Sequence, residues 1–310
     1  MISLNVDLRT LTWEQFVSQT NAYAIALDGY VRGGPKYDNA RANFNHHEDV
    51  DRLATRSTCA QVLMAIRQGL FDSFRLGNDE PHANIYVNDC DEDVCTAWTL
   101  LKHHYLAAGT MNPILNRLVA MEDALDCTAG AYPFPRDLPA LRELAWIYQP
   151  YRRFRLSGEI NKRDPEAFRG IICDVEHRIL KHIAGNGEEI ALDTRYERID
   201  VGNPSSLFPI APRDWVMVRE VGAQARTGMF ADGIRVFVSV RELEGERYAY
   251  VIGKMSPFIR KNLTGLAMKL NETDGDVEDS WGGGDTVIGS PRKNGSRFKP
   301  YELAEIVDRF

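Results

Sequence analysis

An acidic turn between an apolar strand and a helix constrains the fold of this chain most strongly. Residues 83–88, ANIYVN, are typical of a buried β-strand, and a helix is predicted from about Val94 to Ala107. The five residues from Asp89 to Asp93 include three aspartates and one glutamate. This order predicts one unit of an α/β fold, in which ligands bind beyond the carboxyl ends of the strands.

A second apolar segment, residues 22–31, predicts another buried strand, with Asp28 near its carboxyl end. A glycine-rich break follows, and then an irregular polar stretch that contains His46 and His47. In a loop at a strand end, one histidine can bind a metal ion while the other contacts a substrate phosphate. Two exposed loop histidines are the simpler alternative for this pair taken alone.

Crowded carboxylates favour a divalent cation at the acidic turn. They repel one another, and a bound cation removes that repulsion. Oxygen ligands with an imidazole suit Mn²⁺ or Mg²⁺. A solvated acidic loop that caps the next helix is the open alternative. Asp123 and Asp126 end a predicted helix (about Met111 to Leu125), where the helix dipole disfavours acids, so this end is another candidate site.

Composition restricts the partners and the compartment. The 310 residues include 37 basic and 44 acidic side chains, a net charge of −7, which argues against a broad nucleic-acid-binding surface. The five cysteines match no paired zinc motif and predict free thiols in a reducing compartment. The sequence has no signal-peptide pattern and no apolar run long enough to span a bilayer. We therefore expect a cytoplasmic protein without membrane association.

The second half of the chain predicts a different arrangement of elements. Residues 164–184 carry apolar side chains at helical spacing and predict a long helix that joins two domains. After about residue 210, three segments rich in β-branched and aromatic residues predict strands. A helix around Phe258–Leu270, a glycine-rich stretch and a final helix opened by Pro300 follow. The whole pattern favours two α/β domains.

Four motifs together resemble the DHH phosphoesterase superfamily. The segment from Asp28 to Glu48 is similar to the metal loop of that family, and residues 89–95 resemble its other metal motif. Residues 122–126 resemble an acidic pair at the end of the family's catalytic domain. Residues 281–290 look like the glycine-rich motif of the DHH-associated second domain. Two features depart from the family: Asn45 stands where it has aspartate, and the acidic turn follows the histidine pair instead of preceding it.

The resemblance implies an α/β fold with a parallel-sheet, DHH-like catalytic domain over residues 1–160. A helical linker over residues 161–205 and a smaller mixed α/β substrate-binding domain over residues 206–310 would follow. The implied activity is metal-dependent hydrolysis of a small phosphorylated or nucleotide substrate by metal-activated water. Mn²⁺ or Mg²⁺ is the expected cofactor, with two ions if the site is complete.

The resemblance also assigns roles to individual residues. The expected metal-binding side chains are carboxylates and one imidazole: Asp28, His46, Asp89, Asp91, Asp93 and Asp123. Among them, Asp89 and Asp93 compete for one ligand position. His46 and His47 are the expected catalytic residues, with His47 facing the substrate phosphate.

The second domain is expected to hold the rest of the substrate. Gly282, Gly283 and Gly284 would let backbone N–H groups approach an anion, and Arg292 and Lys293 would pair with a phosphate or carboxylate. A plain turn is the alternative for the glycines. The expected partners are a small phosphorylated substrate or a short oligonucleotide rather than long duplex nucleic acid, and the family is compatible with a homodimer.

Two other functions stay open at this point. One is a catalytically altered regulatory protein of the same fold that binds a nucleotide or a metal, which Asn45 favours. The other is an unrelated α/β metalloprotein in which the acidic turn is coincidental.

Overall fold

Helix-forming and strand-forming segments alternate along the chain and assemble into two α/β units. The structure is a computed structural model that describes residues 1–52, 54–108, 112–202, 213–274 and 279–310. Each unit has one mixed sheet, with five strands in the first and six in the second. The predicted two-domain α/β class is thus confirmed.

Unit 1 comprises Met1–Cys127 and Pro139–Ala191. Its strands are β1 (Ile2–Val6), β2 (Ala24–Leu27), β3 (Lys36–Tyr37), β4 (Arg41–Phe44) and β5 (Ala83–Val87). Its α-helices are α1 (Trp13–Gln19), α2 (Thr58–Arg67), α3 (Leu70–Ser73), α4 (Glu92–Lys102), α5 (Tyr105–Ala108), α6 (Pro113–Asp126), α7 (Pro139–Ile147), α8 (Gln149–Ser157) and α9 (Pro165–Ile183). A 3₁₀ turn at Glu159–Lys162 separates the last two.

The sheet of unit 1 has the strand order β1-β5-β2-β4-β3. The first four strands in this order run parallel, whereas β3 pairs antiparallel with β4. Strand β2 is buried along its whole length, as a continuous apolar run in a parallel sheet should be. The parallel pairing brings the carboxyl ends of β2, β4 and β5 to one edge of the sheet. Strand β1 was not predicted, although its residues, ISLNV, alternate between apolar and polar side chains; all five are half-buried.

Unit 2 comprises Thr128–Leu138 and Leu192–Phe310. Its strands are β6 (Tyr196–Arg198), β7 (Val216–Glu220), β8 (Val236–Leu243), β9 (Arg247–Lys254), β10 (Gly282–Gly283) and β11 (Val287–Gly289). Its helices are α10 (Ala225–Ala231), α11 (Leu263–Asp274) and α12 (Pro300–Asp308). The sheet has the order β10-β11-β9-β8-β7-β6, and its core includes Trp215, Tyr250 and Trp281.

The observed division of the chain differs from the predicted domains 1–160, 161–205 and 206–310. Helix α9, predicted as part of a linker, packs within unit 1, where Glu176 accepts a hydrogen bond of 2.7 Å from the Trp98 indole. Residues Thr128–Leu138 belong to unit 2, because Ala129 and Ala131 are buried in its second apolar cluster. The expected boundary between residues 205 and 206 lies outside the described residues.

The described part of the chain contains no helix with the length and apolarity needed to cross a bilayer. The five cysteines are free thiols, as their number and spacing predicted.

Candidate metal centre at the strand ends

The topology of unit 1 brings three predicted segments to one place. Asp28 follows β2, His46 and His47 come just after β4, and the acidic turn follows β5. Because these strands are parallel neighbours in the order β5-β2-β4, their carboxyl ends share one edge of the sheet. Asp28 and Asp93, far apart in the sequence, thus lie around the same imidazole, that of His46.

Asp28 is fixed by both backbone and side-chain contacts. Its backbone has a φ of 49°, which is in the left-handed region that aspartate tolerates. Its N–H donates to the Phe44 carbonyl at 2.8 Å, and the Thr58 hydroxyl donates to its Oδ1 at 3.0 Å. The side chain is buried, which alone would raise its pKa, but the imidazoles of His47 and His46 hold the pKa of Asp28 well below its usual range.

His46 is completely buried and faces three carboxylates. Its Nε2 lies 2.7 Å from Asp126 Oδ2, 3.4 Å from Asp28 Oδ1 and 3.6 Å from Asp93 Oδ2. Burial alone would lower the pKa of His46, but Asp126 and Asp28 raise it well above the usual value. The imidazole thus stands at the centre of an acidic cluster.

Two buried atoms of this cluster contact each other without a well-aligned hydrogen bond. Among the described residues, His46 Nε2 and Asp126 Oδ2 lie 2.7 Å apart, at ion-pair distance, and neither makes a contact with hydrogen-bond geometry. A buried polar atom without a partner is costly and rare in folded proteins. Two such atoms side by side, with other carboxylates close to them, are the arrangement expected of ligands that converge on a cation.

The donor set fits a divalent metal ion. Two groups of side chains offer ligand atoms within 4.8 Å of one another: Asp28 with His46 and His47, and His46 with Asp93 and Asp126. These groups can hold a metal ion. Carboxylate oxygens suit Mg²⁺ and Mn²⁺, and an imidazole among them favours Mn²⁺.

Asp93 lies at the start of α2 as well as in the cluster. Its Oδ2 accepts from the Thr58 N–H at 2.6 Å and its Oδ1 from the Cys59 N–H at 2.7 Å. The side chain of the N-cap residue Ser57 makes no cap bond, because Asp93 takes the free N–H groups. Burial and the charges of Asp126 and Asp28 raise the pKa of Asp93 to about 7.

The other two aspartates of the acidic turn are held by local backbone contacts. Asp91 begins α4 and accepts from the Val94 N–H at 2.9 Å. Burial and the charges of Asp28 and Asp89 raise its pKa well above the usual value. Asp89 accepts from the Cys90 N–H at 2.8 Å. Neither residue belongs to the two candidate ligand groups found among the described residues.

Asp123, which we expected to bind metal, makes structural contacts instead. Its Oδ1 accepts from the Ser57 N–H at 2.7 Å and its Oδ2 from Arg56 at 2.8 Å. Asp126, one turn later in α6, points to His46. Asp126 is four residues after the buried Glu122 and lies on the same face of α6.

Asn45 makes contacts that only an amide side chain can make. Its side-chain amide donates to the carbonyls of Val31 at 3.1 Å and Gly33 at 2.8 Å. Its Oδ1 accepts from the His47 N–H at 3.1 Å. A carboxylate could not donate to the two carbonyls, so this residue anchors the loop before β3 rather than binding metal.

Arg52 was missed by the sequence analysis. It is buried, and its guanidinium contacts His47 Nδ1 at 3.0 Å. His47 Nε2 in turn lies 2.9 Å from Asp28 Oδ1. An arginine in an irregular polar segment gives no sequence signal for such a contact, because the loop conformation alone creates it.

The glycine-rich stretch of unit 2 forms a tight hairpin. Gly282 and Gly283 pair with β11, and Gly284 N–H donates to the Val287 carbonyl at 2.8 Å. Gly283 has a φ of 140°, and a Cβ there would lie 2.3 Å from the Val287 oxygen, so only glycine fits. The hairpin geometry alone requires glycine at position 283, and the expected role of the three glycines in substrate binding stays a prediction.

The two basic residues that follow this hairpin are exposed. The Lys293 N–H donates to both carboxylate oxygens of Asp279, at 3.1 and 3.0 Å, which orders the turn that also carries Arg292. Their predicted role in substrate binding stays a prediction.

Comparisons with known proteins give no relative: no family model, no curated protein and no solved structure matches this chain.

Proposed function

We propose that this chain is a metal-dependent phosphoester hydrolase that acts on a small phosphorylated or nucleotide substrate through metal-activated water. Membership of the DHH phosphoesterase superfamily is part of the proposal, supported by the four sequence motifs. The observation that carries it is the pair of buried atoms without hydrogen bonds, His46 Nε2 and Asp126 Oδ2. They lie at the strand edge where open α/β sheets bind ligands.

The residues that would hold the ion are Asp28, His46, Asp93 and Asp126. When bound, a divalent cation supplies a Lewis acid that polarises a phosphoryl oxygen and lowers the pKa of a water molecule. Mn²⁺ is the best candidate and Mg²⁺ the next, because three of the four donors are carboxylates.

The number of ions is the finer part of the proposal. The two ligand groups share His46, whose Nε2 faces the carboxylates of both, and one nitrogen lone pair can bind only one cation. We therefore propose one ion held by the four residues above. The second ion expected from the resemblance would need Asp89 or Asp91 as further ligands.

His47 would stabilise the substrate. It lies beside Asp28, and its side chain is 30% exposed, whereas His46 has no exposure. An exposed N–H donor beside buried carboxylates is placed to contact a phosphoryl oxygen whose negative charge grows during hydrolysis. Gly282–Gly284, Arg292 and Lys293 of unit 2 are proposed to bind the remainder of the substrate, and the protein is proposed to act in the cytoplasm.

A regulatory protein that binds metal or nucleotide without hydrolysis is the second candidate. Asn45 favours it, because an aspartate ligand of the family is replaced here by an amide that is used to anchor a loop. The two candidates share the metal centre and differ in turnover.

A matched pair of variants tests the proposal. The experiment compares the wild-type protein with two variants, Asp126→Asn and Asp123→Asn. Each purified protein would be loaded with Mn²⁺ and dialysed, and its bound metal would be measured. Hydrolysis of bis-p-nitrophenyl phosphate would then be followed. We expect Asp126→Asn to weaken Mn²⁺ binding by more than the roughly 10–100-fold typical of residues that only contact ligands. Asp123→Asn should keep its metal, because its carboxylate caps α2 instead.

Two results would overturn parts of the proposal. Wild-type protein that binds no Mn²⁺ or Mg²⁺ would remove the metal centre, and equal metal loss in both variants would remove the assignment of Asp126. Bound metal without hydrolysis above background, for phosphodiester and phosphomonoester probes alike, would favour the regulatory protein.

A further inference from the structure

The ring nitrogens of the two adjacent histidines have different contacts. Among the described residues, His46 Nε2 makes no hydrogen bond and faces the carboxylates of Asp28, Asp93 and Asp126. Both ring nitrogens of His47 are occupied, Nδ1 by Arg52 at 3.0 Å and Nε2 by Asp28 Oδ1 at 2.9 Å. His46 and His47 therefore have different roles in the cluster.

The contact with Arg52 fixes the position of the proton on His47. A guanidinium has five N–H donors and no acceptor, so Nδ1 of His47 must accept and cannot carry a proton. In a neutral imidazole the proton is then on Nε2, which donates to Asp28. Both contacts thus agree on one tautomer.

A metal-binding histidine needs the reverse arrangement. Such an imidazole binds the ion through one lone pair and donates its other N–H to a carboxylate, a carbonyl or a water. The second nitrogen of His46 lies 3.9 Å from the Cys127 sulfur, which can accept. The second nitrogen of His47 faces only a donor, so its free N–H cannot be satisfied there.

We propose that Arg52 is a positioning residue that holds His47 as the Nε2–H tautomer, so that His47 is a hydrogen-bond donor and not a metal ligand. Its N–H would move from Asp28 to a phosphoryl oxygen when substrate is present. This catalytic consequence rests on the proposed function, whereas the tautomer itself does not.

The setting of Arg52 supports a role beyond stability. Its side chain is 5% exposed, and among the described residues its Nε has no hydrogen-bond partner. Its Nη1 donates to the Asp126 carbonyl at 3.4 Å, which links the histidine loop to the end of α6. Burying a guanidinium costs stability, and such a cost often marks a functional position.

Nitrogen NMR tests the tautomer directly. Protein with ¹⁵N-labelled histidine would be studied without metal and with Mg²⁺ or Zn²⁺, because protonated and unprotonated ring nitrogens have well-separated shifts. Of the seven histidines, His47 is assigned by its absence from His47→Gln. We expect a protonated Nε2 in His47 that metal does not change, while the resonances of His46 shift. A deprotonated Nε2 in His47, or a metal-induced shift as large as that of His46, would overturn the proposal.

Variants of Arg52 test the positioning role. Arg52→Met should release the tautomer to a mixture and lower kcat for bis-p-nitrophenyl phosphate by about 10–100-fold, with bound metal unchanged. Arg52→Lys keeps an N–H donor, so it should partly restore both the Nε2–H tautomer and kcat. It replaces Arg52→Met if that variant fails to fold. Arg56→Met, an exposed arginine of the same segment, is the control and should change neither.

The outcomes separate this proposal from the previous one. An unchanged tautomer in both Arg52 variants would overturn the positioning role even in an active enzyme. A wild-type protein without hydrolysis, but with the expected tautomer and its loss in Arg52→Met, would overturn the hydrolase and leave the role of Arg52 intact.

Discussion

At the scale of single residues, the identity of a side chain decides whether it anchors the backbone or serves the site. Asn45 and His46 are adjacent and both fully buried. The amide of Asn45 satisfies two backbone carbonyls, whereas the imidazole nitrogen of His46 is left for the carboxylate cluster. The difference follows from the groups that the two side chains offer. The amide N–H groups of Asn45 can donate to backbone carbonyls, which a carboxylate or a nitrogen lone pair cannot do.

Asn45→Asp should therefore destabilise the protein rather than improve its metal site. The change removes two donors and sets a buried carboxylate against two carbonyl oxygens. The cost for buried groups left without partners should total about 3 kcal/mol in the free energy of unfolding. Denaturant unfolding measures it, and Asn39→Asp, at an exposed position of the same segment, is the control. Unchanged stability with tighter Mn²⁺ binding would show that an aspartate at this position can serve as a metal ligand.

At the scale of elements, helix ends account for several of the buried acids. Asp93 and Asp123 accept the N–H groups of residues 57–59, so they stabilise the start of α2. Asp126 makes no such bond and points to His46. Sequence spacing could not separate Asp123 from Asp126, because both lie in the last turn of α6 and the choice depends on which face meets the sheet edge.

Helix α9 is attached to α4 by a buried carboxylate. Glu176 accepts from the Trp98 indole at 2.7 Å and lies 2.8 Å from His103 Nε2 and 2.7 Å from Lys102 Nζ. Burial would raise the pKa of Glu176, but His103, Lys102 and Trp98 outweigh it and lower the pKa below the usual 4.5. This network explains why the helix predicted as a linker packs in unit 1.

Glu176→Gln should show a pH-dependent loss of stability. A carboxylate whose pKa is lowered by folding stabilises the protein above its unfolded pKa, and this contribution disappears as the pH falls through the folded value. We expect the variant to lose about 1–3 kcal/mol at pH 7 and progressively less below pH 4.5, the ordinary pKa of Glu. Urea unfolding between pH 3 and pH 7 measures this, with Glu166→Gln, at an exposed position of the same helix, as the control. A constant difference across this range would contradict the lowered pKa.

At the scale of the whole molecule, the candidate centre belongs to one unit. The residues proposed to hold the ion all lie in unit 1, whereas the glycine hairpin and its two basic residues lie in unit 2. Each unit has its own sheet and its own core. Metal binding should therefore act first on unit 1.

Hydrogen exchange with and without Mn²⁺ tests this localisation. A ligand present at 100 times its Kd stabilises the state that binds it by about 2.7 kcal/mol. We expect slower exchange at the ends of β2, β4 and β5 and at the start of α2, and the effect should disappear with EDTA. Peptides from β7 to β9 serve as the internal control. Equal protection of both units would show that the ion is not confined to the proposed centre. Protection by Mn²⁺ that persists in Asp126→Asn would show the same.

The sequence by itself determined the α/β class, the strands that precede Asp28 and the acidic turn, and the residue types that could serve as metal ligands, whereas it gave no sign of the strand before His46. These follow from local patterns, because an apolar run followed by polar residues marks a strand end wherever it lies in the chain. The tertiary structure alone decided that Asp126 rather than Asp123 meets His46, that Asn45 anchors a loop, and that Arg52 reaches His47. It also decided that α9 belongs to unit 1. Most of those contacts join segments far apart in the chain, and the contact between Arg52 and His47 depends on the conformation of one loop. No local sequence pattern specifies such packing or loop conformation.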